Sequence, residues 1–347
     1  CACTLTNSSP SLAATPITVG RFTPDHLSVS VVGTPSLRNG TGPWSSAFTY
    51  IGQAFTFATQ PTLTITAQNA AGATTQNYEG NFWKIDQTKL RPQYANKALN
   101  VNATLTSLAA ELGESGLQLT TPTRGVAHFT LSDTLSYQRT AGLQPPFEAD
   151  VALNLQTNTS TTATPNWFNQ LSDADGVCYI GGQTTCQPIT GVSGINHIQG
   201  AALRYGRLSI GATTGSATEG ATVPVMAQYV NRQGRFVQNG DDNSTTLSPS
   251  MITLVAHINA GGSTPTATLS SNTVNHGASN VLLSAPGAAG YVILTVDLAS
   301  AGINHLQADW GSSGFTNPTM RISFGVYAGR SAVKKGRIFI REDFNQE

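Results

Sequence analysis

Asp173-Ala-Asp175-Gly176 is the stretch whose residue types and spacing come nearest to a ligand site. Two carboxylates flanking one alanine, just before a glycine, gather the hard oxygens that calcium takes as ligands. An EF-hand is excluded. The acid it needs two residues before Asp173 is Leu171, and the bidentate Glu it needs six residues after Gly176 is Gly182. Two readings stay open: a calcium loop of another design, or an Asp/Gly turn whose side chains bond their own backbone. Asp241-Asp242-Asn243 is a similar cluster and reads as a strand-connecting turn.

Cys178 and Cys186 flank Tyr-Ile-Gly-Gly-Gln-Thr-Thr, a loop with two glycines, and the spacing predicts a local disulfide. Closing so short a loop stabilises by about 2–3 kcal/mol in the chain-entropy account. Zinc is the competing reading, but no second ligand pair with the right spacing accompanies these cysteines. Cys1 and Cys3 form a C-x-C at the start. They could pair with each other, pair with residues upstream, or include a lipid-modified first residue.

The six histidines (His26, His128, His197, His257, His276, His305) show neither H-x-H nor H-E-x-x-H spacing, so each reads as structural. No G-x-S-x-G elbow and no phosphate-binding glycine loop before a helix occurs. Carboxylates are sparse: Glu111 and Glu114 share one stretch, Glu148 and Asp150 one strand face, and no acid–base pair can be nominated. The expectation is a protein that is not an enzyme and carries no cofactor, the calcium question aside. Trp44, Trp83, Trp167 and Trp310 could stack on sugar rings, although aromatics of β-sandwiches are mostly core. Trp167, in the polar stretch PNWFNQ, is expected to be exposed and is the candidate ligand contact.

The elements that must position these residues are strands. Apolar residues alternate with hydroxyl residues at Leu27, Val29 and Val31 and at Leu63, Ile65 and Ala67, and with Arg321, Ser323 and Gly325 at Ile322, Phe324 and Val326. Gly, Asn, Pro and Ser punctuate these runs, and no βαβ alternation appears. The fold class is all-β, two immunoglobulin-like or Greek-key β-sandwich modules with long polar loops. Residues 1–16 read as a leader or linker, 17–200 as a first module holding the stapled loop, and 201–347 as a second. Lys84–Glu114 is the least strand-like region, and LTSLAAEL within it could be a helical turn or two. The end of the chain reads as a hairpin of Met320–Tyr327 with Arg337–Phe344, whose Lys334, Lys335, Arg337 and Arg341 protect an edge strand or form a docking patch.

Only 10% of the 347 residues are charged, against roughly 25% in an average soluble domain. Ser, Thr, Asn, Gln and Gly take their place, which suits a secreted protein. Lys+Arg and Asp+Glu are 18 each. A net charge of zero argues against attraction to nucleic acid or anionic membrane and removes a brake on self-association. No apolar run approaches the about 18 residues needed to span a bilayer.

Six ordered motifs carry a resemblance: GRFTPDHLSV (20–29), FTYIGQAF (48–55), LTITAQNAAGATTQNYEG (63–80), RYGRLSI (204–210), VPVMAQYVNRQGRFVQNGDD (223–242) and NPTMRISFGVYAG with RIFIRE (317–342). Together they resemble the C-terminal region of MshQ-like proteins, associated with the mannose-sensitive haemagglutinin type IV pilus of Gram-negative bacteria. The resemblance implies an exported cell-surface component linked to pilus biogenesis or adhesion, with other surface proteins or glycans as partners. It supplies no catalytic residue. The family pattern often places a cysteine just after the acidic pair at Asp241–Asp242, whereas this chain reads DDNSTT. The alternatives are a subunit that self-assembles through edge strands and, furthest from the residues, a secreted hydrolase. If Asp173 and Asp175 bind calcium, a chelator lowers the melting temperature; an unchanged melt excludes the site.

Overall fold

The computed structural model describes residues 3–5, 17–19, 23–41, 47–84, 90–107, 117–157, 195–310 and 314–325. The chain divides into two compact units, each assembled from separated segments. The first comprises Cys1–Thr49, Gln53–Gln138 and Phe147–Leu203; the second comprises Tyr50–Gly52, Arg139–Pro146 and Arg204–Glu347. Among the described residues no helix is long and apolar enough to cross a membrane.

The strands of the first part of the chain are β1 (Cys3–Leu5), β2 (Ile17–Val19), β3 (His26–Val32), β4 (Ser36–Arg38), β5 (Thr49–Tyr50), β6 (Ala54–Thr59) and β7 (Thr62–Gln68). They continue with β8 (Leu90–Asn96), β9 (Thr104–Ser107), β10 (Leu117–Leu119), β11 (Val126–Leu131), β12 (Leu135–Gln138), β13 (Phe147–Thr157) and β14 (Ile195–Arg204). Three four-stranded sheets result, in the orders β10-β11-β7-β3, β4-β6-β12-β9 and β5-β14-β13-β8. Period-two alternation sets one face of each strand inward. The first sheet buries Leu27, Val29, Leu63, Ile65, Ala67, Ala127, Phe129 and Leu131; the second buries Leu37, Phe55, Phe57, Leu135 and Tyr137. Phe55 stacks on Tyr137 at 5.9 Å, and Tyr137 meets Phe147 edge-on at 5.1 Å.

The second unit holds β15 (Gly206–Ile210), β16 (Thr214–Gly215), β17 (Ala221–Val230), β18 (Phe236–Gln238), β19 (Ile252–Ile258), β20 (Ala267–Leu269), β21 (Ala278–Leu283), β22 (Gly290–Val296) and β23 (Thr319–Phe324). One sheet runs β15-β17-β21-β20, with β18 hairpinned onto β17, and the other runs β16-β23-β22-β19. In strand letters these are A-B-E-D and A′-G-F-C, the two sheets of an immunoglobulin-like sandwich. The parallel pairing of β16 with β23 is the A′–G contact, where the first strand switches sheets. Val223, Val225, Val281, Val292, Leu294, Ile322 and Phe324 fill the space between them, each buried.

Three local expectations need correction or completion. The stretch read as least strand-like holds two strands, β8 and β9. Pro92 hid β8, but it lies on the edge strand of its sheet, opposite Leu155, where a missing N–H is tolerated. Leu105, Thr106 and Ser107, the start of the run whose helical character local sequence left open, ladder with β12, so cross-strand pairing decides it there. Within residues 1–16, Cys3–Leu5 pairs antiparallel with Ile17–Val19. At the other end, Met320–Phe324 is a strand paired with β22, while Arg337–Phe344 and its lysines lie outside the described residues.

Candidate functional site

The densest polar chemistry lies inside the second unit, around Asp242. The turn after β18 reads Asn239-Gly240-Asp241-Asp242, and both Asn239 and Asp242 are fully buried. The Tyr50 hydroxyl donates to Asp242 Oδ2 at 2.9 Å and accepts from Asn239 Nδ2 at 2.8 Å. Thr245 Oγ1 donates to the same Oδ2 at 2.7 Å. Oδ1 accepts from the Ser244 and Thr245 amides, each at 3.0 Å, and from Ser244 Oγ at 3.2 Å. The Asp-x-Ser/Thr spacing is thus an Asx turn whose carboxylate is satisfied without leaving the core. Arg204 donates to Asn239 and, at 2.6 Å, to Asp241 Oδ2. Burial first, then the Asp242 carboxylate, pushes the Tyr50 phenol well above its usual range, so it stays a donor at any working pH.

Arg139 completes the cluster from another segment. Its Nη1 donates to the carbonyls of His305 and Gln307, both at 2.7 Å, and its Nη2 to that of Gly206 at 3.0 Å. Gly206 has no side chain because a Cβ there would overlap the Tyr50 ring. His305 stacks on Tyr50 at 5.7 Å. Burial, then the Arg139 guanidinium, pushes the His305 imidazole down to about 4.

A ladder of rings and guanidinium groups leads outward from Arg139. That guanidinium lies between Phe315 and Tyr205, at 4.4 and 4.2 Å from their centroids. Tyr205 meets Phe236 at 6.3 Å. Arg207 then lies 3.7 Å from the Phe236 centroid and 5.0 Å from that of Trp310. Arg207 Nε donates to Gln228 Oε1 at 2.8 Å, and Trp310 is 43% exposed. An exposed indole beside a half-buried guanidinium offers an apolar ring face and a fork of donors together.

In the first unit the outward face of the β10-β11-β7-β3 sheet is neutral and hydroxyl-rich. Thr62 bonds Thr130 at 3.2 Å, Thr64 bonds His128 at 2.9 Å, and His26 bonds Gln68 at 3.0 Å. Asp133 is buried and accepts from the Tyr94 hydroxyl at 2.6 Å; burial, then Asp133, raises that phenol well above its usual range. Asp150 accepts from His197 Nδ1 at 2.9 Å and Gln199 Nε2 at 3.1 Å. Glu148 and Asp150 do share β13, as their spacing implied.

Asp173, Asp175, Cys178, Cys186 and Trp167 lie outside the described residues, as do Glu111, Glu114 and Trp44. The pair read as a plain turn, Asp241–Asp242, is the one the structure brings together with Tyr50, Asn239 and Arg204. Trp310, one of the four tryptophans weighed for sugar stacking but not the one expected to be exposed, is the exposed tryptophan among the described residues. Among the described residues no group of three or more His, Cys, Asp or Glu is placed to hold a metal ion.

These features define a chain of all-β sandwich modules whose buried ionisable groups are bonded internally. Residues 5–193 match the third domain of DUF6701, and residues 204–343 match its fourth domain. The chain belongs to the DUF6701 family. No curated protein matches it. Among solved structures it is similar to the Escherichia coli adhesin FdeC, at 15% identity and a TM-score of 0.27, over 89% of this chain and 68% of that one. It is also similar to the D00-D0 domain of intimin, at 10% identity and a TM-score of 0.23, over 85% and 98% of the two chains. The Yersinia pseudotuberculosis adhesin InvE follows, at 9% identity and 0.22, over 86% and 59%.

The depressed His305 pKa sets an acid sensitivity. An unfolded histidine titrates near 6.5, so His305 contributes its full stability above that pH and loses it as pH falls towards about 4. Protonation over that window costs on the order of 3 kcal/mol. In urea titrations at pH 7 and pH 4.5, His305→Gln is expected to narrow the difference in the second unit's stability; an unchanged difference would contradict the assignment.

Proposed function

We propose that this chain is part of an exported, cell-surface protein that acts by binding, and that its setting is a type IV pilus of the mannose-sensitive haemagglutinin kind. The observation carrying the binding reading is the end of the cation–π ladder. Trp310 and Arg207 stand at an exposed position on a scaffold whose inner rungs are fixed by Arg139 and its three carbonyl partners. A rigid aromatic costs little entropy to immobilise and is the side chain most often found at the energetic centre of an interface. Sugar rings present apolar faces edged by hydroxyls, which match an indole face flanked by the Arg207 guanidinium and the Gln228 amide.

The surface composition supports the same setting. With 10% charged residues and zero net charge, recognition here relies on hydroxyl, amide and ring contacts and not on long-range attraction. The groups suited to acid–base work, Tyr50, Asp242, Tyr94 and Asp133, donate or accept in internal bonds that hold the fold. The six-motif resemblance to MshQ-like proteins supports the pilus setting.

Two measurements test the two parts. Cells sheared to release filaments should yield the protein with the filaments, well below the amount of the major pilin. Its absence from sheared material would remove the pilus setting. A glycan array should return a saturable ligand that Trp310→Ala weakens at least about tenfold, the scale of losing an interfacial tryptophan. Equal binding by the variant would remove Trp310 from the site.

A further inference from the structure

The sheet β16-β23-β22-β19 ends on a seven-residue strand, Ile252–Ile258, that pairs with β22 alone among the described strands. Long free edges recruit other strands unless charge, proline, a bulge or shortness protects them. Several other edge strands carry such protection: β8 carries Arg91 and Pro92, β15 carries Arg207, and β20 has three residues, whereas β3, a seven-residue edge reading HLSVSVV, shares the lack but alternates with serines. β19 reads ITLVAHI and has none of these devices. From Asn243 to Val296 the sequence contains no Lys, Arg, Asp or Glu at all, so no neighbour along the chain supplies the missing charge.

The strand is also under-covered. Ile252, Leu254 and Ala256 face inward opposite Val296, Leu294 and Val292, which are buried, yet every inward residue of β19 is only half-buried. On the outer face Val255 is 56% exposed and sits opposite Ile293. Beside it, His257 stacks on Tyr291 at 4.7 Å, and the Arg321 guanidinium lies 3.7 Å from that ring's centroid.

We propose that β19 is a homotypic docking edge whose occupant is β19 of a second copy, paired antiparallel about a two-fold axis through Val255. The near-palindromic sequence points to a second copy. Folded on Val255, the strand sets Leu254 against Ala256, Thr253 against His257, and Ile252 against Ile258, so each residue meets one of its own character. No like charges oppose one another in that register. The inner apolar rows of both copies gain cover, and Ile293-Val255-Val255-Ile293 becomes one continuous apolar row on the outer face. The contact is isologous and therefore closes at two copies. It joins two four-stranded sheets into one of eight. This inference stands apart from the ligand reading, since Trp310 and Arg207 take no part in it.

Sedimentation velocity on the intact chain over a concentration series tests the proposal. The wild type should show a monomer–dimer equilibrium. Val255→Lys and Val255→Glu each place like charges face to face on the axis and should weaken association at least about tenfold. A one-to-one mixture of the two variants should restore a heterodimer. Ser30→Lys, the same change on the exposed part of β3, should dimerise as the wild type does. A wild type that stays monomeric at every attainable concentration overturns the proposal. So does a Val255→Lys variant that dimerises normally, or a mixture that stays monomeric.

Discussion

The hydrogen bond from Tyr50 to Asp242 spans 192 residues of sequence and holds a buried carboxylate in place. A buried charge is tolerated only when its lone pairs are met, and Asp242 meets them with Tyr50, Ser244 and Thr245. Other features of the second unit follow from it. Gly206 is bare because the Tyr50 ring occupies the space of a Cβ. Asn239, fixed by its bond to Tyr50, ends β18 and turns the chain towards Asp242. Gly277, with φ at +73°, donates its amide to the Asp242 carbonyl at 2.7 Å, and a Cβ there would overlap the Asn239 carbonyl.

Because Tyr50–Gly52 and Arg139–Pro146 belong to the second unit, its immunoglobulin-like strands do not by themselves complete its core. The first segment supplies the phenol that satisfies Asp242 and Asn239. The second supplies the guanidinium that satisfies the carbonyls of Gly206, His305 and Gln307 and anchors the ladder ending at Trp310. Stability of the sandwich and rigidity of the proposed contact surface thus depend on the same few buried polar bonds. Removing one partner leaves the other desolvated and unpaired, which costs more than the bond itself contributes.

Much of the fold was legible in sequence because strand alternation is a local signal. Leu27, Val29, Leu63, Ile65, Ile322 and Phe324 all turn inward as their spacing implies. Local signals fail where partners are distant. Nothing in FTYIGQAF marks Tyr50 as the partner of Asp242, and nothing in SYQRTAGL marks Arg139 as the partner of His305 and Gln307. Asp241-Asp242-Asn243 was readable as a turn, but its burial was not, because the Asx turn that satisfies Asp242 resembles any surface turn. β8 was missed for a related reason, since Pro92 is acceptable only once Leu90–Asn96 is known to be an edge.

Hydrogen exchange on the intact chain in mild urea, comparing the wild type with Tyr50→Phe, tests the central dependence most directly. Removing one hydroxyl should lower the opening free energy of the second unit's amides, Asn239 to Thr245 among them, by about 1–3 kcal/mol. Amides of β11 in the first unit should be unaffected. Unchanged protection around Asp242, with or without a change in β11, would contradict the account.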